Sequence, residues 1–268
     1  MVNSHSGLSD FPANPVNLLS ITSELRSILQ FINNIADDAY IVGGFVRDHC
    51  LDRPRPQDMD IAVSVDGFEL AKKVNAQFPG FTSFAPLDPV NGSGRLITKE
   101  TDISIIDIST MKGPSIHQDI LRRDFTINSM AIKLADFLAT GFARIIDPLN
   151  ASEDISRRIV RVCAPDSFSD DPLRILRAYR FSAQLGFSID PSSLSLVTES
   201  VPCLDEISGE RLRDELFQIL SCPNTRNSLV SMENEGIITR LFPQLMLMKD
   251  CDQNRYHSMD VWDHSLEC

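Results

Sequence analysis

Two acidic residues, Asp58 and Asp60, are two positions apart in the sequence, with Met59 between them. Alternate side chains of an extended strand point to the same face, so both carboxylates would project together from a strand at this position. Two carboxylates on one face suit a hard cation such as Mg²⁺, especially where the phosphates of a substrate complete the coordination. The ordinary alternative for an Asp-x-Asp sequence is a solvated loop with no chemical role.

A glycine pair, Gly43 and Gly44, precedes these carboxylates and separates a short apolar run, residues 40–42, from a predicted helix over residues 45–51. Paired glycines let backbone N–H groups approach a phosphate closely, and the N-terminus of the following helix adds a favourable field. Arg47 would then pair with phosphate oxygens. A glycine pair alone is usually a turn, but the acidic pair that follows strengthens the interpretation as a phosphate and metal site.

A third candidate carboxylate is Asp107, which together with Asp102 borders a predicted strand over residues 103–108. The neighbouring isoleucines would bury Asp107, and a buried carboxylate must be paired or must bind a metal. The alternative is that both carboxylates merely flank the strand at its exposed ends. The residues alone leave the two interpretations open.

Donors are dense between Arg122 and Asn128, where Arg123 and Asp124 also lie. Adjacent arginines can neutralise a triphosphate or an RNA backbone. On chemistry alone, a surface charge cluster is the favoured interpretation of this segment.

A last cluster begins with Asp171 and Arg174, which are three residues apart and share a helix face that continues through Arg177 and Arg180. One interpretation is an intrahelical salt bridge of small energy. The other is base selection, in which the carboxylate accepts from the amino group of C or A and the guanidinium donates to the neighbouring ring nitrogen. Such a site would reject U and G by about 10⁴, because its polar groups would be left unpaired.

Strands and helices are predicted to alternate up to about residue 150, which favours an α/β layer. A helix is predicted over residues 21–35, with strands over 40–42, 61–65, 95–98 and 103–108 and a helix over 68–74. Beyond residue 150 the pattern is helical. One helix is predicted after Asp170-Asp171-Pro172 and ends at Gly186, and another begins near Ser208.

The composition fits a soluble globular chain, with 43% apolar and 23% charged residues in 268, and excludes membrane-spanning, collagen-like and wholly disordered classes. The net charge of −12 argues against nucleic-acid binding by the whole surface. Residues 121–180 hold ten basic and eight acidic residues, so any such contact would be local. The N-terminus lacks the pattern of a secretory signal, and six cysteines without metal spacing indicate reduced thiols in the cytoplasm.

Five strings in this order resemble the class II tRNA nucleotidyltransferase and bacterial poly(A) polymerase family, within the polymerase-β nucleotidyltransferase superfamily. They are GGFVRD (43–48), DMD (58–60), RRDFTINSMAI (122–132), DPLRILRAYRFSAQLGF (171–187) and SGERLRDEL (208–216). The resemblance implies an α+β head with a five-stranded mixed nucleotidyltransferase sheet, followed by an all-α neck and the start of an α-helical body. The implied organisation is a flexible tail (1–20), a catalytic head (21–150), a base-recognition neck (151–235) and the truncated start of an HD-like body (236–268).

The resemblance also implies roles for the residues. Asp58 and Asp60 would bind the catalytic Mg²⁺ ions, with Asp107 at the third acidic position. The triphosphate, ribose and base of the nucleotide would be held by Gly43, Gly44, Arg47, Arg122, Asp124, Asn128, Asp171, Arg174, Arg177 and Arg180. The substrates would be the 3′ end of tRNA and CTP, with ATP for a CCA-adding member.

The chain departs from the family pattern at three places. The neck motif usually opens with Glu, where this chain has Asp170. Only fourteen residues, 108–121, separate Asp107 from Arg122, where CCA-adding members usually carry a longer flexible loop, so a CC-adding enzyme is the hypothesis. Residues 256–266 resemble the start of an HD domain, with His264 as its first metal ligand, but the His-Asp pair that should follow is absent from the chain.

Two alternatives stay open on the sequence. A poly(A) polymerase would use the same head and neck, so the motifs do not separate it from a tRNA enzyme. A non-catalytic RNA-binding protein is the alternative of another class, and the complete acidic set argues against it.

Overall fold

In a computed structural model, the structure describes residues 21–54, 56–99, 101–140, 144–249, 251 and 259–267. The chain forms two compact units. We call them the sheet unit, which takes the chain up to residue 121 and residues 127–152, and the helical unit, which takes residues 122–126 and the chain from 153 onward. The predicted tail, residues 1–20, lies outside the described residues.

The sheet unit contains one mixed seven-stranded sheet in the order β3-β4-β5-β2-β1-β6-β7. Its strands are β1 (Ala39–Val42), β2 (Asp58–Val63), β3 (Thr82–Asp88), β4 (Ser93–Thr98), β5 (Ile105–Thr110), β6 (Ala131–Lys133) and β7 (Ile145–Ile146). Only β2 and β5 pair in parallel within this sheet; the other neighbouring pairs are antiparallel.

The expected mixed sheet is confirmed, but the expected number of five strands is wrong. The two outermost strands on one side, β6 and β7, have three and two residues. Runs this short show no period-2 pattern in a sequence. They form because β6 pairs with β1 and β7 pairs with β6, which extends the sheet past β1.

Five helices accompany the sheet in the described part of this unit: α1 (Ser23–Ile35), α2 (Gly44–Cys50), α3 (Gly67–Gln77), α4 (Ile116–Leu121) and α5 (Leu134–Thr140). Helix α1 follows the predicted spacing, since Leu25, Ile28, Leu29 and Ile32 are all buried. The hydroxyl of Thr22 accepts from the backbone N–H of Leu25 and caps this helix. Each such buried side chain stabilises the fold by about 1.5–3 kcal/mol.

The two faces of the sheet differ in character. One face carries Met59 and Ile61 of β2, which are fully buried, and helix α3 packs on β3, β4 and β5. On the other face, α4 and its neighbours enclose a small core around Val42 and Ala62, while Asp58 and Asp60 stay exposed. We call the part of this face that carries the two carboxylates the open face of the sheet.

Helix α6 (Ala151–Arg157) leads into the helical unit. The unit contains α7 (Ser167–Asp170), α8 (Leu173–Leu185), α9 (Pro191–Ser200), α10 (Gly209–Leu220), α11 (Thr225–Asn234), α12 (Ile237–Leu241) and α13 (Val261–Glu267). A short parallel ladder, β8 (Ile159–Val160) with β9 (Ser188–Ile189), accompanies the helices, so the neck is not wholly α-helical. Residues 256–258 of the predicted HD-like segment lie outside the described residues, and His264 lies in α13.

Helix α8 lies against α10 and α11 and forms the centre of this unit. Its predicted end is confirmed: Gly186 adopts a left-handed conformation at φ 69° and donates its N–H to the carbonyl of Ser182. At the other end, the N-cap of α8 is Pro172, and the carboxylate of Asp171, one residue earlier, accepts from the backbone N–H of Leu173 at 3.3 Å.

Two further expectations concern the whole chain. Among the described residues, no helix has both the length and the apolar composition needed to cross a membrane. No disulfide bond involves any of the five cysteines in the described part of the chain.

Candidate functional site

The acidic pair of the sequence lies on strand β2, as its spacing predicts. Asp58 and Asp60 are exposed and flank the buried Met59, so both carboxylates project from the open face. In the parallel pairing of β2 with β5, Asp60 stands in register with Asp107. The structure therefore places all three predicted acidic residues on two neighbouring strands.

Asp107 is bound by an arginine that the sequence did not single out. Arg95 on β4 stands in register with Asp107, and it donates from Nε to Oδ1 at 2.8 Å and from Nη2 to Oδ2 at 2.7 Å. The hydrogen bond to Asp107 raises the pKa of Arg95, with smaller contributions from the charges of Asp107, Asp58 and Asp60. A row of side chains, Arg95–Asp107–Asp60, thus crosses three strands of the open face.

Asp102 and Asp107 differ in their position relative to strand β5 and in their partners. Asp107 lies inside β5, with 19% of its side chain exposed, and is paired with Arg95. Asp102 lies before the strand and accepts from the backbone N–H of Thr22 at 3.0 Å. Only Asp107 is therefore a candidate for the site.

Asp58 and Asp60 supply a donor set that fits a magnesium ion. Exposed carboxylates at Asp58 and Asp60 are the hard oxygen donors that Mg²⁺ prefers, and water and substrate phosphates usually complete its coordination. Each oxygen of Asp107 accepts a hydrogen bond from Arg95. In the described part of the chain, no group of three or more His, Cys, Asp or Glu residues is placed to hold a metal ion.

The glycine turn lies at the same end of β2 as Asp60. Val42, the last residue of β1, pairs with Asp60, and the chain then turns at Gly43 into helix α2. Gly43 has φ 74° and ψ −139°, a conformation that favours glycine because a Cβ would be strained there. The turn and helix α2 are thus held next to the acidic pair by strand pairing.

Arg47, on α2, is buried and engages two side chains of the sheet unit. It donates from Nη1 to Oδ1 of Asn128 at 2.6 Å and from Nε to Asp48 at 2.8 Å. Within the sheet unit, residues 43–48 and residues 127–132 therefore meet through Arg47 and Asn128.

In the helical unit, Asp171 and Arg174 do not pair with each other among the described contacts. Asp171 accepts from Nη2 of Arg211 on α10, at 3.1 and 3.0 Å to its two oxygens. Arg174 donates to the carbonyl and hydroxyl of Ser167, at 3.2 and 2.9 Å, and to the carbonyl of Arg122 at 3.1 Å. The simple intrahelical salt bridge is therefore not what this helix forms.

The next two arginines of α8 form ion pairs inside the helical unit. Arg177 donates from Nη2 to Asp124 at 2.5 Å, and the charge of Asp124 is the main cause of a raised Arg177 pKa. Arg180 donates from Nε to the buried Glu215 of α10 at 2.5 Å. These contacts join α8 to the segment 122–126 and to α10.

The predicted site residues divide between the two units. Those of the sheet unit are Gly43, Gly44, Arg47, Asp58, Asp60, Asp107 and Asn128, and those of the helical unit are Arg122, Asp124, Asp171, Arg174, Arg177 and Arg180. Sequence reasoning missed Arg95. The pattern that could have identified it is the alternation along strand β4. Gly94 and Leu96 are buried on one face, and because successive side chains of a strand point to opposite faces, Arg95 lies on the polar face.

Two known protein families match parts of this chain. Residues 39–161 match the family described as the poly A polymerase head domain. Residues 186–248 match a second family, described as the probable RNA and SrmB-binding site of polymerase A. These families cover the sheet with its acidic pair and much of the helical unit.

Several tRNA nucleotidyltransferases are similar in sequence. The chain is 39% identical to the CC-adding tRNA nucleotidyltransferase of Geobacter sulfurreducens over 76% of its own length and 45% of the relative. It is 31% identical to the A-adding tRNA nucleotidyltransferase of Deinococcus radiodurans, over 85% of this chain and 50% of the relative. The chain thus spans about half the length of the curated relatives it matches.

A solved structure is similar as well. The Thermotoga maritima CCA-adding enzyme complexed with tRNA is 34% identical, with a TM-score of 0.70 over 82% of this chain and 52% of that one. Together, the matched domains, the relatives and the shared architecture show that the chain belongs to the class II tRNA nucleotidyltransferase and bacterial poly(A) polymerase family.

Proposed function

We propose that this protein transfers cytidine nucleotides from CTP to the 3′ end of tRNA and releases pyrophosphate, without a nucleic-acid template. The observation that carries the proposal is the pair of exposed carboxylates, Asp58 and Asp60, projecting from one strand beside the glycine turn at Gly43. Relatives with this head are named for the addition of C, A or CCA to tRNA.

The sheet unit would bind the reacting groups. Asp58 and Asp60 would hold Mg²⁺, which lowers the pKa of the attacking 3′-hydroxyl and stabilises the charge on the leaving pyrophosphate. The backbone N–H groups of the turn at Gly43 and Gly44 would approach the triphosphate. Arg47, held by Asn128, would contribute positive charge near the phosphates.

The helical unit would read the base. The carboxylate of Asp171 would accept from the amino group of cytosine, and the guanidinium of Arg174 would donate to the neighbouring ring nitrogen. Uracil presents a carbonyl in place of the amino group and an N–H in place of the ring acceptor, so both protein groups would lose their partners. Arg177 and Arg180 keep the helix that carries this pair joined to Asp124 and Glu215.

The restriction to cytidine rests on the segment between Asp107 and Arg122. Residues 108–110 complete β5 and residues 116–121 form α4, which leaves only residues 111–115 outside regular structure. The backbone N–H of Lys112 is bound by Asp119, and Ile116 and Ile120 are buried beneath the sheet. A segment this short and this well anchored supports CC addition, because it offers no long flexible loop to switch the site from C to A.

The test is single-nucleotide transfer by the protein to two tRNA transcripts, one lacking the whole CCA end and one ending in CC. CTP and ATP are offered separately with Mg²⁺. We expect two cytidines on the first transcript and no adenosine on the second. Incorporation of ATP onto the CC end at rates like those for CTP would contradict CC specificity.

The same assay addresses the two alternatives. A poly(A) polymerase, which the matched head family allows, would extend either transcript with long runs of adenosine. A non-catalytic RNA-binding protein would bind the transcripts but release no pyrophosphate in the presence of Mg²⁺ and any nucleotide.

A further inference from the structure

We propose that Arg95 is a positioning residue of the open face: it fixes and neutralises Asp107, so that Asp58 and Asp60 alone hold the divalent ion and the affinity for that ion is limited. The inference rests on the proposed function, because the ion is the one that nucleotidyl transfer would use. It assigns a role in this site to a residue that lies outside the five strings on which the family resemblance rests.

The sheet itself holds Arg95 in place. Its strand, β4, lies between β3 and β5 and is paired on both edges, so the backbone of Arg95 has little freedom to move. Gly94 and Leu96 are buried on the other face, which directs the arginine to the open face. The side chain remains 37% exposed, so it lies at the surface of the site rather than in the core.

The contact between Arg95 and Asp107 occupies both carboxylate oxygens. The planar guanidinium fork matches the two oxygens, which fixes the plane of the carboxylate as well as its position. A lysine would supply the same charge at one point but would not fix this plane. A carboxylate that accepts two charge-assisted hydrogen bonds has less electron density to offer a metal ion.

The charges of Arg95 and Asp107 also affect how tightly the open face binds a cation. With Arg95 present, its positive charge offsets the negative charge of Asp107. Without Arg95, a third carboxylate in register with Asp60 would be free and unneutralised. A unit charge about 6 Å from a divalent ion changes the affinity for that ion by at least about tenfold, the value expected at the dielectric constant of bulk water.

The experiment measures Mn²⁺ binding to the nucleotide-free protein by electron paramagnetic resonance, for Arg95→Ala, Asp107→Asn and the double variant. We expect Arg95→Ala to bind Mn²⁺ about tenfold more tightly and Asp107→Asn to bind it several-fold more weakly. The double variant removes both charges together and should return to within about twofold of the wild type. Opposite signs for two members of one ion pair are not expected from a merely structural contact.

A matched control comes from another Arg–Asp contact. Arg240 donates two hydrogen bonds to Asp205 at an exposed position in the helical unit. Arg240→Ala should leave Mn²⁺ affinity unchanged. Thermal unfolding of each variant checks the fold, and if Arg95→Ala does not fold, Arg95→Gln, which keeps the length of the side chain and an N–H donor, carries the same expectation.

The outcomes separate the two levels of the proposal. If Arg95→Ala binds Mn²⁺ as the wild type does or more weakly, the role of Arg95 is contradicted. If the double variant stays as weak as Asp107→Asn, then Asp107 is itself a ligand, and the inference is again wrong. Asp58→Ala should abolish Mn²⁺ binding in every background; persistence of binding in that variant would contradict the metal assignment of the proposed function, and this inference with it.

A kinetic readout completes the test. Arg95→Lys keeps the positive charge and loses the fork, so Mn²⁺ affinity should stay within about twofold of the wild type. The turnover number for CTP should fall while the KM for CTP stays unchanged, since the variant loosens Asp107 without removing a group that binds the nucleotide. A change confined to KM would contradict a positioning role.

Discussion

Asp171 accepts hydrogen bonds at both carboxylate oxygens from a single nitrogen, Nη2 of Arg211, which lies 40 residues later on helix α10. The same carboxylate accepts from the backbone N–H of Leu173 at the start of α8. The group proposed to read the base is thus oriented by its own helix and by a second one. A carboxylate held this way is aimed before a nucleotide arrives, which reduces the cost of ordering it on binding.

Arg211→Ala should therefore weaken the choice of base more than it weakens the fold. The Arg211–Asp171 pair is half-exposed, and exposed pairs of this kind contribute at most about 1 kcal/mol to stability. We expect the preference for CTP over UTP to fall, measured as the ratio of kcat/KM values in single-nucleotide incorporation. Arg213→Ala is the control, because Arg213 lies on the same helix and pairs only locally with Asp214 in the contacts described. An unchanged ratio in Arg211→Ala would show that Asp171 needs no such support.

Arg174→Ala should have a larger effect on base choice. This arginine is the proposed donor to the ring nitrogen. Its side chain is held in place because Nη1 donates to the carbonyl of Ser167 and Nη2 donates to the carbonyl of Arg122. We expect discrimination against UTP and GTP to drop by at least about a hundredfold, because a site that hydrogen-bonds its substrate gains much of its selectivity from groups left unpaired by the wrong one. All four nucleotides are compared on one transcript. Retention of wild-type selectivity would rule out a templating role for this side chain.

Helix α3 is predicted to tolerate no side chain at its first residue. A Cβ on Gly67 would lie 2.7 Å from the carbonyl oxygen of Gly92 and 2.9 Å from that of Ile108, both backbone atoms that cannot move aside alone. Gly67→Ala should lower the free energy of unfolding by about 1–3 kcal/mol in urea denaturation. Gly80→Ala is the control, since a Cβ there meets nothing within 4 Å. Equal stability of the two variants would contradict the close approach of α3 to the sheet.

Cys50 should react slowly with thiol reagents. Burial, with the nearby charges of Asp147 and Asp52, raises the pKa of its thiol to about 11. Since the thiolate is the reactive form, only about one molecule in a thousand would carry it at pH 8, and the rate should rise tenfold per pH unit up to the pKa. Mass spectrometry after brief alkylation should find Cys251, which is exposed, labelled well before Cys50. Equal labelling at pH 8 would contradict the burial of Cys50.

The sequence predicted the elements whose patterns are long and regular. Helices α1 and α8 have unbroken helical spacing, and Gly186 marks the end of α8 because glycine adopts the left-handed conformation there at little cost. The predicted strand over 61–65 instead begins at Asp58 and ends at Val63. Its bounds are set by pairing with β1 and β5, and cross-strand pairing leaves no mark in the local sequence.

The part of the site that depends on local spacing was predictable from the sequence. The shared face of Asp58 and Asp60 follows from their spacing on one strand. The pairing of Arg95 with Asp107 depends on the register of β4 against β5, and the contact of Asp171 with Arg211 depends on the packing of two helices. The type and spacing of residues do not show which residues become partners, because strand register and helix packing decide those contacts.

In the proposed function, Asp58 and Asp60 form the metal-binding centre of nucleotidyl transfer. The most direct measurement is the transfer of radiolabelled CTP to a tRNA transcript lacking its CCA end, by the wild type and by Asp58→Ala and Asp60→Ala. Both positions are exposed, so thermal unfolding of both variants should match the wild type. The account predicts that transfer falls to the background level in each variant while the fold is kept. Near-normal transfer by either folded variant would contradict it.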